Sequence, residues 1–258
     1  MIERYALITG ASSGIGAEFA RQLAAQGVHL ALVGRSETRL TPVAEEIRAA
    51  YPVAVETLAA DLGGAQGVER VITFIEALPH LDYLVNNAGY GTTGYFAESD
   101  IGRQVGMLDL HVTAALRLCR AALPGMIARG SGAIVNVASV SAFAPMPHTA
   151  VYSATKAALV NFSRGLQTEL RGTGVRVQAL CPGFTRTRFH SSAEFEGFRT
   201  EKLPGLLWTQ ADAVVRDSLR ALRNGGPLVV VPGWFYRLGL PFLQTLPVRM
   251  LLEAFGRS

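Results

Sequence analysis

Seven short apolar runs, separated by longer stretches of helical period, constrain this chain more than any other feature. They are RYALIT (4–9), VHLALVG (28–34), VAVETL (53–58), DYLVN (82–86), AIVNVA (133–138), VRVQALC (175–181) and LVVV (228–231). Each is rich in Val, Ile, Leu and Ala and short enough for a strand buried on both faces. Between them lie amphipathic stretches such as ETRLTPVAEEIRAA (37–50), with Ser36 placed to cap it. This alternation predicts an α/β, doubly wound parallel sheet of about seven strands with helices on both faces. No linker, repeat or low-complexity tract interrupts it, so residues 1–258 are expected to form a single domain.

Composition excludes several function classes. With 49% hydrophobic and 17% charged residues among 258, the chain can bury a large core and is not of the disordered type. Its net charge is +4, but 24 Lys and Arg interleave with 20 Asp and Glu, with no basic run. A nucleic-acid partner would need the basic residues clustered, so none is expected. Cys119 and Cys181 read as small buried hydrophobes, with no CxxC pair and no clustered histidines, so neither a metal site nor a disulfide is expected. The start, MIERYALITG, enters a strand directly and lacks a signal-peptide layout. No unbroken apolar run reaches the roughly 18 residues of a spanning helix. A cytoplasmic protein is expected.

The first strand runs into TGASSGIG (9–16), followed by the helix AEFARQLAAQG. Gly10, Gly14 and Gly16 permit a tight turn, close approach of backbone to a pyrophosphate, and close packing of helix on strand. The helix start adds unpaired N–H groups and the positive end of a dipole. The second strand ends at Gly34, where an acid would accept from the ribose 2′-hydroxyl of NAD and repel a 2′-phosphate. No acid stands there. Arg35 follows with a planar, permanently charged fork, and Arg39 lies one turn on. NADP(H) is therefore favoured over NAD(H).

After AIVNVA comes Ser139, and thirteen residues later YSATK (152–156). On a helix Tyr152 and Lys156 stand at i and i+4, on one face. A free phenol has a pKa near 10, too high for acid–base work at neutral pH, and a nearby ammonium is expected to lower it. A serine at the carboxyl end of a strand points into the crevice where open α/β sheets bind ligands.

Together these pieces resemble the short-chain dehydrogenase/reductase family over roughly residues 3–232. The resemblance rests on TGASSGIG (9–16), Asp61 after the third strand, NNAG (86–89), Ser139, YSATK (152–156) and CPGFTRT (181–187), in the family's order and spacing. It implies a Rossmann fold, a nicotinamide cofactor and reversible carbonyl/alcohol hydride transfer, commonly in a homodimer or homotetramer. It also implies roles. Gly10, Ser12, Ser13, Gly14, Ile15 and Gly16 would cradle the cofactor, and Asp61 and Leu62 would contact adenine. Asn87, Ala88 and Gly89 would line the cofactor, with Pro182, Gly183 and Thr185 along the nicotinamide. Tyr152 would be the proton donor or acceptor, Ser139 would hold the substrate oxygen, and Lys156 would bind the nicotinamide ribose and tune Tyr152.

One position departs from the family. LDLHVTA (108–114) carries His111 where members usually have an asparagine that holds a water between the lysine and solvent. Three meanings are open: the imidazole keeps the relay, it packs inertly while other groups carry the proton, or turnover is lost. The relay is preferred, since one ring nitrogen donates while the other accepts and Ser139, Tyr152 and Lys156 are intact.

Residues 184–208, FTRTRFHSSAEFEGFRTEKLPGLLW, match the family's substrate-covering segment. Phe184, Phe189, Phe195, Phe198, Leu206, Leu207 and Trp208 could form an apolar lid or simply pack on the body. Arg186, Arg188 and Lys202 could favour an acidic or carrier-linked substrate but read first as solvated charges, and His148 and His190 read as rim residues at most. The apolar C-terminal stretch 233–258, broken by Pro241 and Pro247, is not a membrane span. Its uses rank as subunit interface, wall of the substrate pocket, then membrane-surface contact. The activity expected is NADPH-dependent reduction of an apolar ketone or aldehyde. The alternatives are reduction of a 3-oxoacyl thioester and a non-catalytic NADP-binding protein.

Overall fold

The computed structural model describes residues 4–92, 94–146, 148–187 and 205–243, with side chains through Gly239. The seven apolar runs become β1 (Tyr5–Thr9), β2 (His29–Gly34), β3 (Val55–Ala59), β4 (Leu81–Asn86), β5 (Gly132–Val137), β6 (Val175–Leu180) and, last in the chain, β9 (Val229–Val230). They form one sheet in the order β3-β2-β1-β4-β5-β6-β9, every pair parallel. Helices α1 (Gly14–Ala24), α2 (Glu37–Ala50), α3 (Ala65–Ala77), α4 (Ile101–Leu108), α5 (Ala114–Arg129), α6 (Ala150–Glu169) and α7 (Ala211–Arg223) fill the crossovers, and α8 (Trp234–Leu243) follows.

Both faces of the sheet are covered, which is why its strands read as continuous apolar runs rather than alternating ones. On one face Ile8, Leu32 and Val135 meet Phe19 and Leu23 of α1, Leu40 and Ile47 of α2, and Val215 and Leu219 of α7. On the other, Leu7, Val33, Leu84 and Ile134 meet Val68 and Val71 of α3, Leu118 and Met126 of α5, and Leu166 of α6. Cys119 and Cys181 are buried among these apolar groups, and burial pushes both thiols up to about 12. No described helix is long and apolar enough to cross a membrane.

Three local features differ from the sequence expectation. Ser36 does stand before α2, but its hydroxyl pairs with Thr38 Oγ1 at 2.7 Å instead of capping, and its carbonyl takes the first helical N–H groups. A short parallel pair, β7 (Thr185–Arg186) with β8 (Thr209–Gln210), was not expected, because two residues carry no readable period. The helix through LDLHVTA is interrupted by one π turn, Asp109–Thr113, a feature concentrated at functional sites.

The chain steps outward from β1 to β3, then returns to lay β4 on the other side of β1. That reversal opens a crevice at the carboxyl ends of β1 and β4. The glycine turn leaves β1 there, NNAG leaves β4, Ser139 follows β5, and Pro182 follows β6.

Candidate active site

The glycine turn is built by contacts no side chain could share. Gly10 has φ 64°, and a Cβ on it would stand 2.9 Å from Ala88 Cα. A Cβ on Gly16 would stand 2.4 Å from the Gly10 carbonyl oxygen, so α1 can start this close to β1 only without one. Thr9, missed by the sequence reading, ties the two loops together. Its hydroxyl accepts from the N–H groups of Asn87 and Ala88, both at 2.9 Å. The Asn87 carboxamide donates in turn to the Thr9 carbonyl at 2.9 Å and to that of Gly10 at 3.3 Å. The Asn87 side chain thus fixes the turn, and of the three residues Asn87, Ala88 and Gly89 only Gly89 is exposed.

This cradle suits a dinucleotide on its own chemistry. Ser12, Ser13, Gly14 and Ile15 are partly exposed along it, and Ser13 precedes α1 without a side-chain cap, leaving the first-turn N–H groups for an anion. Arg35 and Arg39 are exposed beside the end of β2, and neither side chain makes an ion pair or hydrogen bond among the described residues. Asp61 is exposed beyond β3 with one carboxylate oxygen accepting from the Gly63 N–H at 3.0 Å, while Leu62 is buried under it.

Across the crevice, α6 carries Tyr152 and Lys156 on one face, the Lys156 ammonium 5.5 Å from the centre of the phenol ring. The Ser139 hydroxyl is hydrogen-bonded to the phenol and also accepts from the Ser141 N–H at 3.2 Å. Lys156 donates to the Val137 carbonyl at 2.9 Å. Burial pushes Tyr152 up to about 12, against the hydrogen bond from Ser139, and pushes Lys156 down to about 8. The phenol therefore stands above its ordinary value rather than nearer neutral pH as expected, because burial of the anion is the largest influence on it.

His111 lies inside the π turn and is 2% exposed. Its Nε2 accepts from the Tyr90 N–H at 3.1 Å. Its Nδ1 is 2.9 Å from Thr155 Oγ1, whose proton goes to the Tyr152 carbonyl at 2.7 Å. Thr155 must then accept, so the imidazole is neutral with its proton on Nδ1. Burial, helped by the Lys156 charge, holds its pKa well below the usual imidazole value. The expected relay through this ring is not what the geometry provides, since both nitrogens are already spent on the Tyr90 turn and on α6. Beside the ring is a cavity of about 10 Å³ lined by Thr9, Asn86, Leu110 and Leu159. It has room for one water at most, and the buried Asn86 Oδ1 there lacks a hydrogen-bond partner among the described residues.

Beyond β6, Gly183 and Thr185 form the near wall, the Thr185 hydroxyl donating to the Gly183 carbonyl at 3.0 Å. Phe184 and Trp208 meet at 5.7 Å between ring centres, with the Arg186 guanidinium 5.5 Å over Trp208. His148 has φ 66° and packs edge-on to Tyr95 at 4.5 Å. Tyr236 of α8, unexpected from the sequence, is buried against Gly183, while Trp234, Phe235 and Leu238 are exposed. Arg188, Phe189, His190, Phe195, Phe198 and Lys202 lie outside the described residues, as does the chain beyond 243. Among the described residues no group of three or more His, Cys, Asp or Glu is placed to hold a metal.

The chain is similar to known proteins in sequence and in fold. The profile of the short chain dehydrogenase family matches residues 4–196. Sulfoacetaldehyde reductase 2 of Chromohalobacter salexigens is 40% identical over 262 residues, covering 97% of this chain and 96% of that protein. A short-chain dehydrogenase from Sphingobium yanoikuyae, solved in complex with NADPH, superposes with a TM-score of 0.84 at 34% identity, covering 98% of this chain and 96% of its own. The bulky-bulky ketone specific alcohol dehydrogenase of Comamonas testosteroni gives a TM-score of 0.81 at 31% identity, covering 98% of this chain and 94% of its own. A family profile matching three quarters of the chain and a relative 40% identical over nearly its full length settle the family: the chain is an oxidoreductase of the short-chain dehydrogenase family.

Proposed function

We propose that this enzyme moves hydride between NADP(H) and an apolar ketone or aldehyde and its alcohol, with Tyr152 as acid and base. The observation that carries this reading is the Ser139–Tyr152–Lys156 group, placed just after β5 and on α6 across from the glycine turn. The nicotinamide, when bound, supplies or takes the hydride. Ser139 and Tyr152 donate hydrogen bonds to the substrate oxygen, where reduction places negative charge. A phenol raised to about 12 lies further from the working pH than a free one, but it is still a stronger acid than the alcohol being formed and so can protonate the oxygen that reduction leaves negative. Lys156, pinned on the Val137 carbonyl, holds its ammonium beside Tyr152. His111 acts by position: it joins the Gly89–Tyr90 turn to α6 and so fixes Tyr152 relative to the cofactor wall.

The free Arg35 and Arg39 support NADP(H), and the solved NADPH complex of a relative agrees with them. The aromatic pair Phe184 and Trp208 beside the loop after β6 supports an apolar substrate. On α4, Ile101, Val105 and Leu108 expose one apolar face, which suits a second copy of the chain in a homo-oligomer.

The test is oxidation of NADPH and of NADH with separate pools of apolar ketones, aldehydes, 3-oxoacyl thioesters and sulfoacetaldehyde, wild type beside Tyr152→Phe. NADPH consumption with the ketone or aldehyde pool that falls at least a hundredfold in the variant is expected. Turnover confined to thioesters or to the sulfonate would replace the substrate assignment. Tight NADPH binding with no turnover in either direction would replace the enzyme reading.

A further inference from the structure

The family motifs account for the cofactor-facing side of the loop after β6, but not for what holds it from behind. We infer that Tyr236, on the C-terminal helix α8, is a positioning residue that sets the 182–185 loop against the nicotinamide. The inference rests on the reading above that Pro182, Gly183 and Thr185 lie along that ring.

Three contacts carry it. The Tyr236 hydroxyl accepts from the Phe184 N–H at 3.1 Å and donates to the Leu207 carbonyl at 2.7 Å. One phenol thereby joins two backbone segments 23 residues apart in sequence (184 to 207). Its ring lies flat enough on Gly183 that a Cβ there would stand 2.1 Å from Cε2 and from Cζ. The Phe184 carbonyl on the other side accepts from the Thr209 N–H at 2.8 Å and from the Thr209 hydroxyl at 3.1 Å. Both polar groups of the Phe184 backbone are thus used, one by α8 and one by β8, and the loop has little freedom between them.

The exposure pattern of α8 agrees. Tyr236 is 8% exposed, while Trp234 and Leu238 on the same helix are 62% and 63% exposed. A helix with its other described large residues in solvent is anchored here by this phenol, and the anchor point is the nicotinamide loop. Burial also raises the phenol's pKa, so the donor to Leu207 stays protonated at working pH. The absence of a side chain at Gly183 therefore has two candidate causes, space for the cofactor or space for Tyr236, and the geometry points to the second.

The experiment is a cycle of Tyr236→Phe, Tyr236→Ala, Gly183→Ala and the Gly183→Ala/Tyr236→Ala double variant. NADPH dissociation constants come from fluorescence titration, kcat/KM from NADPH oxidation with the best carbonyl substrate. Each is read at a temperature where circular dichroism shows the variant folded. Tyr236→Phe keeps the ring and removes both hydrogen bonds, so NADPH should bind about tenfold more weakly, with kcat/KM falling in step. Gly183→Ala should cost at least as much in the wild-type background and less than twofold in the Tyr236→Ala background, where the obstructing ring is gone. Tyr236→Phe with a lower Tm but unchanged NADPH affinity and kcat/KM would overturn the inference, leaving only a structural contact. So would a Gly183→Ala cost that is the same in both backgrounds, because the glycine would then be reserved for the cofactor. Wild type that binds no NADPH at all would overturn the proposed function and this inference together, a result distinct from either of those.

Discussion

His111 occupies a position where charge would be costly, and the structure shows how that cost is avoided. The ring stays neutral because Nε2 is an acceptor for the Tyr90 N–H, and protonating it would turn two donors on each other inside the core. The linkage sign follows. The unfolded imidazole titrates near its ordinary value of about 6.5, whereas the folded one titrates well below it. Below about pH 6.5 the unfolded state therefore binds more protons, and stability is lost as pH falls, by up to ~1.4 kcal/mol per pH unit. Urea unfolding between pH 7.5 and 5 should show wild type losing stability faster than His111→Asn at that rate. Parallel curves would mean the folded ring takes up a proton freely and is not held as described. The residue's identity was legible in LDLHVTA, but its partners were not. One is a backbone N–H on the turn after β4, and the other a hydroxyl 44 residues downstream. Ser139, Tyr152 and Lys156 could be singled out for the opposite reason: a Tyr–Lys pair is common alone, but its spacing is local and it comes with the other family motifs in order, and the structure brings the three side chains together.

At the scale of elements, what the sequence reveals depends on how much of an element's surroundings is repeated along it. The sheet strands were legible because burial on both faces forces a run of apolar residues, and each observed strand lies within two residues of its run. The β7–β8 pair was not, because it exists through Thr185, Thr209 and the Phe184 carbonyl, contacts that leave no pattern in either segment. The β1–α1 unit falls between: the glycines were readable, but their neighbours were not. Gly16 shows the consequence. A methyl there would meet the Gly10 carbonyl at 2.4 Å, which is backbone and cannot swing aside. Gly16→Ala should push α1 off β1, destabilise the fold by about 1–3 kcal/mol and weaken NADPH binding at least tenfold. Thermal unfolding and fluorescence titration check the two effects separately. Full NADPH affinity in a destabilised protein would show that the turn binds cofactor without needing this helix start so close.

For the molecule as a whole, the strand order matters more than any one strand. Because β4 returns to the side of β1 opposite β2, the glycine turn, Arg35 and Ser139 all open on one rim although they are spread over more than a hundred residues. A ligand filling that rim touches loops from β1, β2, β4, β5 and β6, so its binding energy is shared by the whole sheet and adds to global stability. A ligand at a hundred times its dissociation constant contributes about 2.7 kcal/mol. For a chain of 258 residues that corresponds to roughly 5–10 °C in Tm. NADPH should raise Tm by that much at concentrations where NADH raises it by little if, as proposed, the 2′-phosphate engages the guanidiniums of Arg35 and Arg39. In Arg35→Ala/Arg39→Ala the NADPH shift should fall to the NADH level, while the unliganded Tm stays within about 2 °C, because neither exposed side chain holds another part of the fold. Equal shifts for the two cofactors in wild type would remove the case for NADP(H). The nicotinamide chemistry would stand, since it is set by the opposite end of the crevice, at Ser139, Tyr152 and Lys156.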